Sequence, residues 1–380
     1  MSAYYWLFFL AIASFAPFSA LWFDSKNISS AISGAIFAAP SIATVLLTIS
    51  IGKWADRLRD WRRAIIVCNW IVLIAVCWIL VGQGPWHLLF IWTVSGLFTR
   101  AAGPIMDAAA LNSTQKSGAD YGRIRAFGSI GFIVGVVLAG WLFDHFGIAW
   151  FVSVILISAF IRVVAAHMLP PFRLDKPLVN TAVVASAGLA SLRHPGILFV
   201  LVGSALINGS HGFVNAFSVM HWSNVGISTG IASALWSIGV IAEVALMWKF
   251  KSVAKRFSAR KCLLFASAVG VARWFLTSTD PGLLQLFLLQ ALHSITFGLT
   301  LLATVNFIAK RVPEDHAARA QSVYNMMMTL CIGLSIWSSG WLYSQFAGQT
   351  YWAMAMLALV GGGCVALSFC SDLDDPVHAA

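Results

Sequence analysis

The sequence predicts an all-α polytopic membrane protein with twelve transmembrane helices, arranged as two pseudo-symmetric halves of six. Composition is the first observation, because 59% of the 380 residues are hydrophobic and only 10% are charged, whereas soluble domains have about 25% charged residues. A series of long apolar runs is the second, each near the ~20 residues with which a helix crosses a ~30 Å hydrocarbon core. Strands of a membrane barrel would instead alternate apolar and polar residues.

The apolar runs form two groups of six, separated by a segment rich in proline and charge. Their approximate positions are 4–23, 31–52, 64–82, 86–108, 124–143 and 148–168, then 197–222, 229–250, 261–279, 282–308, 318–343 and 350–370. We therefore predict an N-terminal half over 1–169, a cytoplasmic linker over 170–196 and a C-terminal half over 197–380, related by internal duplication. The first run lacks a positively charged leader and is expected to stay as the first helix.

Positive charge marks one side of the predicted bundle. The loops after the second, fourth, sixth, eighth and tenth spans hold most of the Lys and Arg residues, whereas the loops of the opposite side hold only Lys26. The positive-inside rule therefore places those loops and both termini in the cytoplasm. The same bias explains the net charge of +10 without a nucleic-acid partner.

The motifs give no support to several classes of function. The six cysteines are scattered without a CxxC pair, so neither a disulfide nor a metal site is expected. No Gly-rich phosphate loop, nucleotide-binding pattern or HExxH motif occurs in the sequence. The protein is therefore expected to be no enzyme, to use no cofactor, and to be driven by gradients or by binding.

Family motifs occur along most of the chain. The loop after the second span reads GKWADRLRDWRR, and later segments read DYGRIRAFGS, LWSIGVIAEV, GVARWF and LLQALHSITF. The loop resembles the G-x-x-x-D-[RK]-x-G-[RK]-[RK] signature of the major facilitator superfamily, with Gly52, Asp56 and Arg57 in place and Arg59 at the second glycine. The other segments resemble the 3-phenylpropionate permease family, which implies the major facilitator fold.

The signature loop and the fifth span predict a cytoplasmic gate and a close helix contact. The resemblance implies a cytoplasmic gate that contains Gly52, Asp56 and Arg57 of this loop. Arg123 and Arg125 complete this predicted gate, since they are expected to hold the fifth span at the cytoplasmic face. Further along the same span, Gly131 and Gly135 form a GxxxG pattern that allows a neighbouring helix to approach closely.

Glu243 in the eighth span and Arg273 in the ninth are charged residues at predicted membrane depth. A lone charge at mid-membrane costs about 2.5 to 3.5 kcal/mol, so each needs a partner or a wet cavity. They lie about 10 Å and about 18 Å from the cytoplasmic face, an offset that two long side chains can bridge. One interpretation is a buried ion pair that fastens the two helices, and the other is a proton-coupling carboxylate with Arg273 as its partner.

Arg100 and Asp107 in the fourth span are seven residues apart and share one helix face. The resemblance implies that this helix lines the central cavity. A fixed cation that faces a cavity can neutralise a carboxylate, so Arg100 is a candidate for substrate binding. Asp107 is interpreted either as a proton-coupling carboxylate or as a gate residue paired with the basic loop after the second span.

The seventh and tenth spans each present a polar face at helical spacing. These faces comprise Asn208, His211 and Asn215, and Gln290, His293 and Thr296. His211 and His293 lie at the same predicted depth, which favours a shared solute site over two separate hydrogen-bonded packing contacts. Tyr324 in the eleventh span, with Phe18 and Trp22 in the first, is expected to supply aromatic walls.

These observations predict a secondary active transporter of the bacterial inner membrane that moves a small organic solute by alternating access, with proton symport. The favoured substrate is an aromatic carboxylate similar to 3-phenylpropionate, a choice that depends on the resemblance and on Arg100. A nucleoside or sugar proton symporter is the main alternative, because amides and histidines also suit hydroxyl groups. A copper importer and a membrane-embedded transferase are weaker alternatives. The expected partners are the solute, protons and lipid, and the protein is expected to be monomeric.

Overall fold

The helical class is confirmed by a computed structural model, which describes residues 1–58, 60–117, 121–172 and 194–371. All regular secondary structure within these ranges is helical. Most of the predicted linker, residues 173–193, lies outside the described residues, and so do Arg59 and the side chain of Asp56.

The helices coincide with the twelve predicted spans. The first six spans are α1 (Ser2–Ala13) with α2 (Ser19–Ser25), α3 (Ser30–Asp56), α4 (Trp61–Cys77), α5 (Pro85–Ser117), α6 (Tyr121–Phe146) and α7 (Phe151–His167). The other six are α8 (Pro195–Gly209) with α9 (Gly212–Asn224), α10 (Thr229–Arg256), α11 (Ala259–Thr277), α12 (Leu283–Ala291) with α13 (Thr300–Arg311), α14 (Glu314–Phe346) and α15 (Tyr351–Leu367).

Ten segments of the described chain are long and apolar enough to cross a membrane. The last of them, Arg319–Cys370, contains most of α14 and all of α15. The remaining span, α11, is not among the ten because its 19 residues include Arg260, Lys261 and Arg273. The difference between ten and twelve therefore comes from one merged pair of spans and one charged span.

Local sequence determines where several helices begin. The Ser29 hydroxyl oxygen accepts a hydrogen bond from the Ile32 backbone N–H at the start of α3. Asp60 Oδ1 accepts from the Arg62 backbone N–H at the start of α4 and from the Phe172 backbone N–H beyond α7, each at 2.9 Å. Such caps satisfy the N–H groups that a helix terminus leaves unpaired. Asp60 thereby also joins the ends of the third and sixth spans.

Three spans are interrupted along their length. Pro17 lies in a 3-10 turn, Ala16–Phe18, between α1 and α2. The seventh span breaks at His211, between α8 and α9. The tenth span runs from α12 into a π-helix, Ser294–Leu299, which directly follows His293. Interrupted helices free backbone polar groups and re-aim side chains, and π-helical turns are frequent at functional sites.

The chain forms two compact units. The first comprises Met1–Leu178, Val214–Ser237 and Ile336–Gln345, and the second comprises Val179–Phe213, Ile238–Ser335 and Phe346–Ala380. Besides the first six spans, the first unit thus includes one end each of the seventh, eighth and eleventh spans. Its buried core joins α1, α4 and α5 through residues such as Tyr5, Phe8, Ile65, Cys68 and Ala109. The core of the second unit includes Val200, Leu263, Ala303 and Tyr324.

Two glycines of α6 allow α1 to pack closely against it. A Cβ added at Gly131 would lie 2.2 Å from the carbonyl oxygen of Trp6, and one at Gly135 would lie 2.3 Å from that of Leu10. Backbone atoms cannot yield that much space, so a side chain at either position would force the two helices apart. The helix contact predicted from the GxxxG pattern is confirmed.

Large apolar side chains cover much of the surface. Trp86 at the start of α5 is 81% exposed, and Trp248 near the end of α10 is 83% exposed. A soluble protein does not expose this much apolar surface, whereas lipid-facing helices do. Tryptophan near the helix ends is typical of the interface between lipid and water.

Candidate functional site

Arg273 of α11 is the centre of a buried polar cluster in the second unit. Its Nη1 donates a hydrogen bond to Thr296 Oγ1 (2.7 Å), and its Nη2 donates to Gln290 Oε1 (3.1 Å). The guanidinium carbon lies 4.2 Å from the ring centroid of Trp274. The side chain is fully buried, and no carboxylate of a described residue lies within ion-pair distance of it. The direct hydrogen-bond acceptors of this positive charge are therefore uncharged groups.

His211, at the break in the seventh span, lies against this guanidinium. Its Nε2 is 3.4 Å from Arg273 Nη1 and 3.0 Å from Thr296 Oγ1, while its Nδ1 is 3.2 Å from the Asn208 carbonyl oxygen. A carbonyl oxygen only accepts hydrogen bonds, so Nδ1 carries the proton. A guanidinium only donates, so Nε2 is the acceptor. This arrangement fits a neutral imidazole.

His293 lies next to His211 and faces Glu243 of α10. The two imidazole centroids are 5.3 Å apart, with the rings nearly perpendicular. His293 Nε2 is 3.7 Å from Glu243 Oε2, and the side chains of His293 and Glu243 are 17% and 18% exposed. An acidic and a basic group therefore meet at the accessible side of the cluster.

The direct ion pair expected between Glu243 and Arg273 is not found among the described residues. The guanidinium is directed to the polar groups of the seventh and tenth spans, and the carboxylate reaches His293 instead. Gly298 of the π-helix contributes to this arrangement, because a Cβ there would lie 3.0 Å from Glu243 Cγ. Position along a helix gives the depth of a residue but not the direction of its side chain, which is why the expected pair was wrong.

Other predicted binding residues of the second unit include buried polar atoms without a partner in the described part of the chain. Asn208 Nδ2 donates to Tyr324 Oη (2.7 Å), but Asn208 Oδ1 and Gln290 Nε2 have no hydrogen-bond partner. An unsatisfied buried polar group costs about 1–3 kcal/mol, so such atoms mark places where a solute or water is expected to bind. Asn215 lies on α9 in the first unit and is half-buried.

Arg100 lies in the first unit, fifteen residues into α5 and so about 22 Å along the helix. The side chain folds back along α5, because a Cβ added at Gly96 would lie 3.1 Å from Arg100 Nη1. The same Cβ would lie 2.6 Å from Pro40 Cβ, so Gly96 makes room for both neighbours. Arg100 is exposed, and within the described residues it has no ion-pair partner.

Asp107 accepts hydrogen bonds from two tyrosines of the first unit. Tyr5 of α1 and Tyr121 of α6 both donate to Asp107 Oδ1, the second at 2.9 Å. Tyr5 is fully buried. Hydrogen bonds to a carboxylate are about twice as strong as those between neutral groups. The carboxylate thus joins the first, fourth and fifth spans.

The predicted gate residues lie at helix ends of the first unit. Arg57 is exposed at the end of α3, and Arg123 and Arg125 are exposed in the first turn of α6. The Arg125 guanidinium carbon lies 5.6 Å from the ring centroid of Phe9. A Cβ at Gly52 would meet no atom within 4 Å. Their role as a gate stays a prediction.

Arg162 of α7 forms a second buried cluster, to which the sequence assigned no role. Its Nε donates to Asn69 Oδ1 (3.0 Å) and its Nη1 to Thr99 Oγ1 (2.9 Å). Its Nη2 is buried without a hydrogen-bond partner in the described residues, and its carbon Cζ lies 4.6 Å from the Phe8 ring. A basic residue in the middle of an apolar span was the signal that could have revealed it.

A comparison with known protein families shows which family the chain belongs to. A sequence model of the MFS_1 like family matches residues 1–354. The chain belongs to this family. The protein is therefore a multi-pass membrane transporter of the major facilitator type rather than an enzyme, which confirms the fold and the class predicted from the sequence.

Individual relatives span most of the chain. A probable 3-phenylpropionic acid transporter of Escherichia coli is 28% identical and covers 93% of both chains. The maltose permease of Geobacillus stearothermophilus is 26% identical over 94% of this chain and 91% of its own. A solved structure of the nucleoside transporter NupG superimposes with a TM-score of 0.83 at 18% identity, covering 97% of this chain and 98% of that one. The structural likeness shows the shared fold.

Proposed function

We propose that this transporter carries out proton-coupled uptake of a small organic carboxylate, favouring aromatic acids, by alternating access in a bacterial inner membrane. The observation that carries the proposal is Arg100, an exposed cation at membrane depth without an ion-pair partner in the described residues. A cation in this position is costly unless it faces water or an anion. A substrate carboxylate would neutralise it.

The proposal assigns separate roles to the candidate residues. Substrate contacts are assigned to Arg100, Asn208, His211, Asn215, Gln290, His293 and Tyr324. Proton coupling is assigned to Glu243, Arg273 and Asp107. The relative named as a probable 3-phenylpropionic acid transporter supports an aromatic acid. The protein is proposed to act as a monomer.

The second candidate function is nucleoside or sugar symport. It is favoured by the unpartnered amide atoms of Asn208 and Gln290, which suit hydroxyl groups, and by relatives that include a maltose permease. Counterflow with purified protein in proteoliposomes, using aromatic acids, nucleosides and sugars, separates the two. Exchange of aromatic acids alone supports the first proposal, and exchange of nucleosides or sugars alone replaces it with the second.

Replacing Arg100 by glutamine is expected to raise KM for the transported acid roughly 10- to 100-fold, because a charge-assisted hydrogen bond contributes about 1.5–3 kcal/mol. The primary amide of the same acid provides the sharper measurement. Wild type should discriminate strongly between acid and amide, whereas Arg100→Gln should bind both about equally. Lys255→Gln, which removes an exposed cation at the end of α10, serves as the control. Equal loss of affinity for acid and amide would exclude contact between Arg100 and the carboxylate.

The proposed orientation can be tested without a substrate. A reporter fused after Pro170 is expected to be cytoplasmic and one fused beside Lys26 periplasmic, because the basic loops follow the even-numbered spans. Alkaline phosphatase and green fluorescent protein fusions give opposite signals at the two sites. The reverse pattern would overturn the assignment of both termini to the cytoplasm.

A further inference from the structure

Glu243 and His293 occupy the accessible side of a chain of four titratable or charged groups in the second unit. From the accessible side inward these groups are Glu243, His293, His211 and Arg273. Adjacent groups lie close together, and the first two are partly exposed while the last two are fully buried. A proton that reaches this cluster therefore meets the carboxylate and the His293 imidazole first.

The geometry excludes His211 as the group that takes up this proton. Its Nδ1 already carries a proton, which points at the Asn208 carbonyl oxygen. A second proton would have to sit on Nε2, which is 3.4 Å from Arg273 Nη1. Two like charges at that separation repel strongly when both are shielded from water. His211 is thus held as the neutral acceptor for Arg273, while the Thr296 hydroxyl donates to the Leu292 carbonyl oxygen at 3.2 Å.

Backbone shape brings Glu243 and His293 together. Cβ atoms added at Gly298 and Gly239 would lie 3.0 Å from Glu243 Cγ and 3.4 Å from His293 Cβ, respectively. Both glycines lie where α10 meets the tenth span. The missing side chain of Gly298 leaves room for Glu243, whereas Gly239 lies in ordinary packing contact with His293. The His293 ring is stacked on Phe297 at 5.1 Å with an angle of 9°. Gly298 and one stacked ring therefore help to hold the pair in place.

We propose that Glu243 and His293 together form the site that binds the coupled proton, while neutral His211 separates this site from Arg273. The inference rests on the proposed function and assigns its proton site. With Glu243 ionised and His293 neutral, the negative carboxylate balances the Arg273 cation. Binding one proton to the pair leaves the four groups with one positive charge, which an anionic solute then compensates. Uptake of the proton and of the carboxylate thereby favour each other.

Among the described residues, Tyr351 of α15 is another ionisable side chain near the cluster, and its ring is stacked on Trp274 at 5.6 Å. Tyrosine hydroxyls ordinarily ionise only at about pH 10, so Tyr351 is given no part in the proposed charge balance. Within this cluster, the proton site is therefore assigned to Glu243 and His293.

Transport assays with two readouts test this assignment. Counterflow exchange reports solute binding and alternating access, and accumulation driven by a pH gradient reports coupling. Glu243→Gln is expected to exchange solute while the accumulation ratio falls to about one, because an uncoupled carrier only equilibrates its solute. His293→Gln also removes a proposed substrate contact, so it is expected to exchange solute more weakly and to show the same ratio of about one. His211→Gln is expected to bind solute more weakly and still accumulate it. The controls are Asp24→Asn and His145→Gln, two exposed positions far along the chain from the cluster.

Infrared difference spectra recorded during acidification of the purified protein provide a readout that needs no substrate. A protonated carboxyl band is expected in wild type and in His211→Gln, absent in Glu243→Gln and shifted in His293→Gln. An identical protonated carboxyl band in wild type and Glu243→Gln would overturn the assignment. Normal solute accumulation by both Glu243→Gln and His293→Gln would also overturn it. If no tested solute is exchanged, the proposed function fails while the infrared titration still decides where the proton binds. If Glu243→Gln does not fold, Glu243→Asp replaces it, and its retained carboxyl group is then expected to shift the band rather than remove it; an unshifted band would overturn the assignment.

Discussion

Replacing Arg273 by methionine is expected to reduce solute exchange roughly 30-fold or more, since truncating one member of a buried hydrogen-bonded charged cluster costs about 2–5 kcal/mol. The guanidinium donates to Thr296 and Gln290, and both acceptors would be left buried without it. The cation that the proposed mechanism balances against the solute would also be lost. Exchange per folded molecule in proteoliposomes is the measurement.

Two variants separate a role in transport from a role in folding. Arg273→Lys keeps the charge but lacks the fork that reaches both acceptors, so partial activity is expected. Arg260→Met removes another buried arginine of the same helix, which donates to the Ser368 carbonyl oxygen at 2.9 Å and lies over the Phe369 ring. That variant is expected to lower the folded yield without changing exchange per folded molecule. If folded Arg273→Met exchanges solute at the wild-type rate, Arg273 has a role in packing and none in transport.

The spans could be predicted from sequence because each is a long apolar run, and hydropathy averaged over about twenty residues records little else. That averaging also hides the interruptions. Neither the break at His211 nor the π-helix over Ser294–Leu299 changes the hydropathy of its span. Both depend on how the backbone packs against neighbours, which no single window of sequence contains.

The site could be predicted only as far as depth along each helix allows. His211 and His293 were expected at one depth, and their rings lie 5.3 Å apart. Depth alone leads to the predicted pairing of Glu243 with Arg273. The observed partners differ because packing sets the rotation of each helix about its own axis, and depth does not give that rotation. For the same reason the sequence did not reveal that Asp107 binds Tyr5 and Tyr121. Side-chain partners across a bundle depend on contacts between residues about 14 to 100 positions apart.

Close contact between the second and eleventh spans suggests where the transporter opens during its cycle. A Cβ at Gly340 of α14 would lie 2.4 Å from the Ser30 carbonyl oxygen and 2.8 Å from Gly34 Cα of α3. These residues belong to one compact unit, although Gly340 lies in the predicted C-terminal half. Under alternating access the two halves must separate at one face and then close again. The glycine contact is therefore expected to form only when this face is closed.

Replacing Gly340 by leucine is expected to hold this face open, because the added side chain meets backbone that cannot move aside. Overpacking of this kind costs about 1–3 kcal/mol, which shifts the balance between two conformations roughly 5- to 150-fold. In a variant without native cysteines, a single cysteine at Phe217, which is buried in the first unit, should react with an aqueous thiol reagent much faster when leucine occupies position 340. Gly363→Leu is the matched control, since a Cβ there meets no atom within 4 Å, and it should leave the labelling rate unchanged. Equal labelling in all three proteins would mean that the contact does not close the transport path, because the buried cysteine would then be insensitive to the separation of α3 and α14.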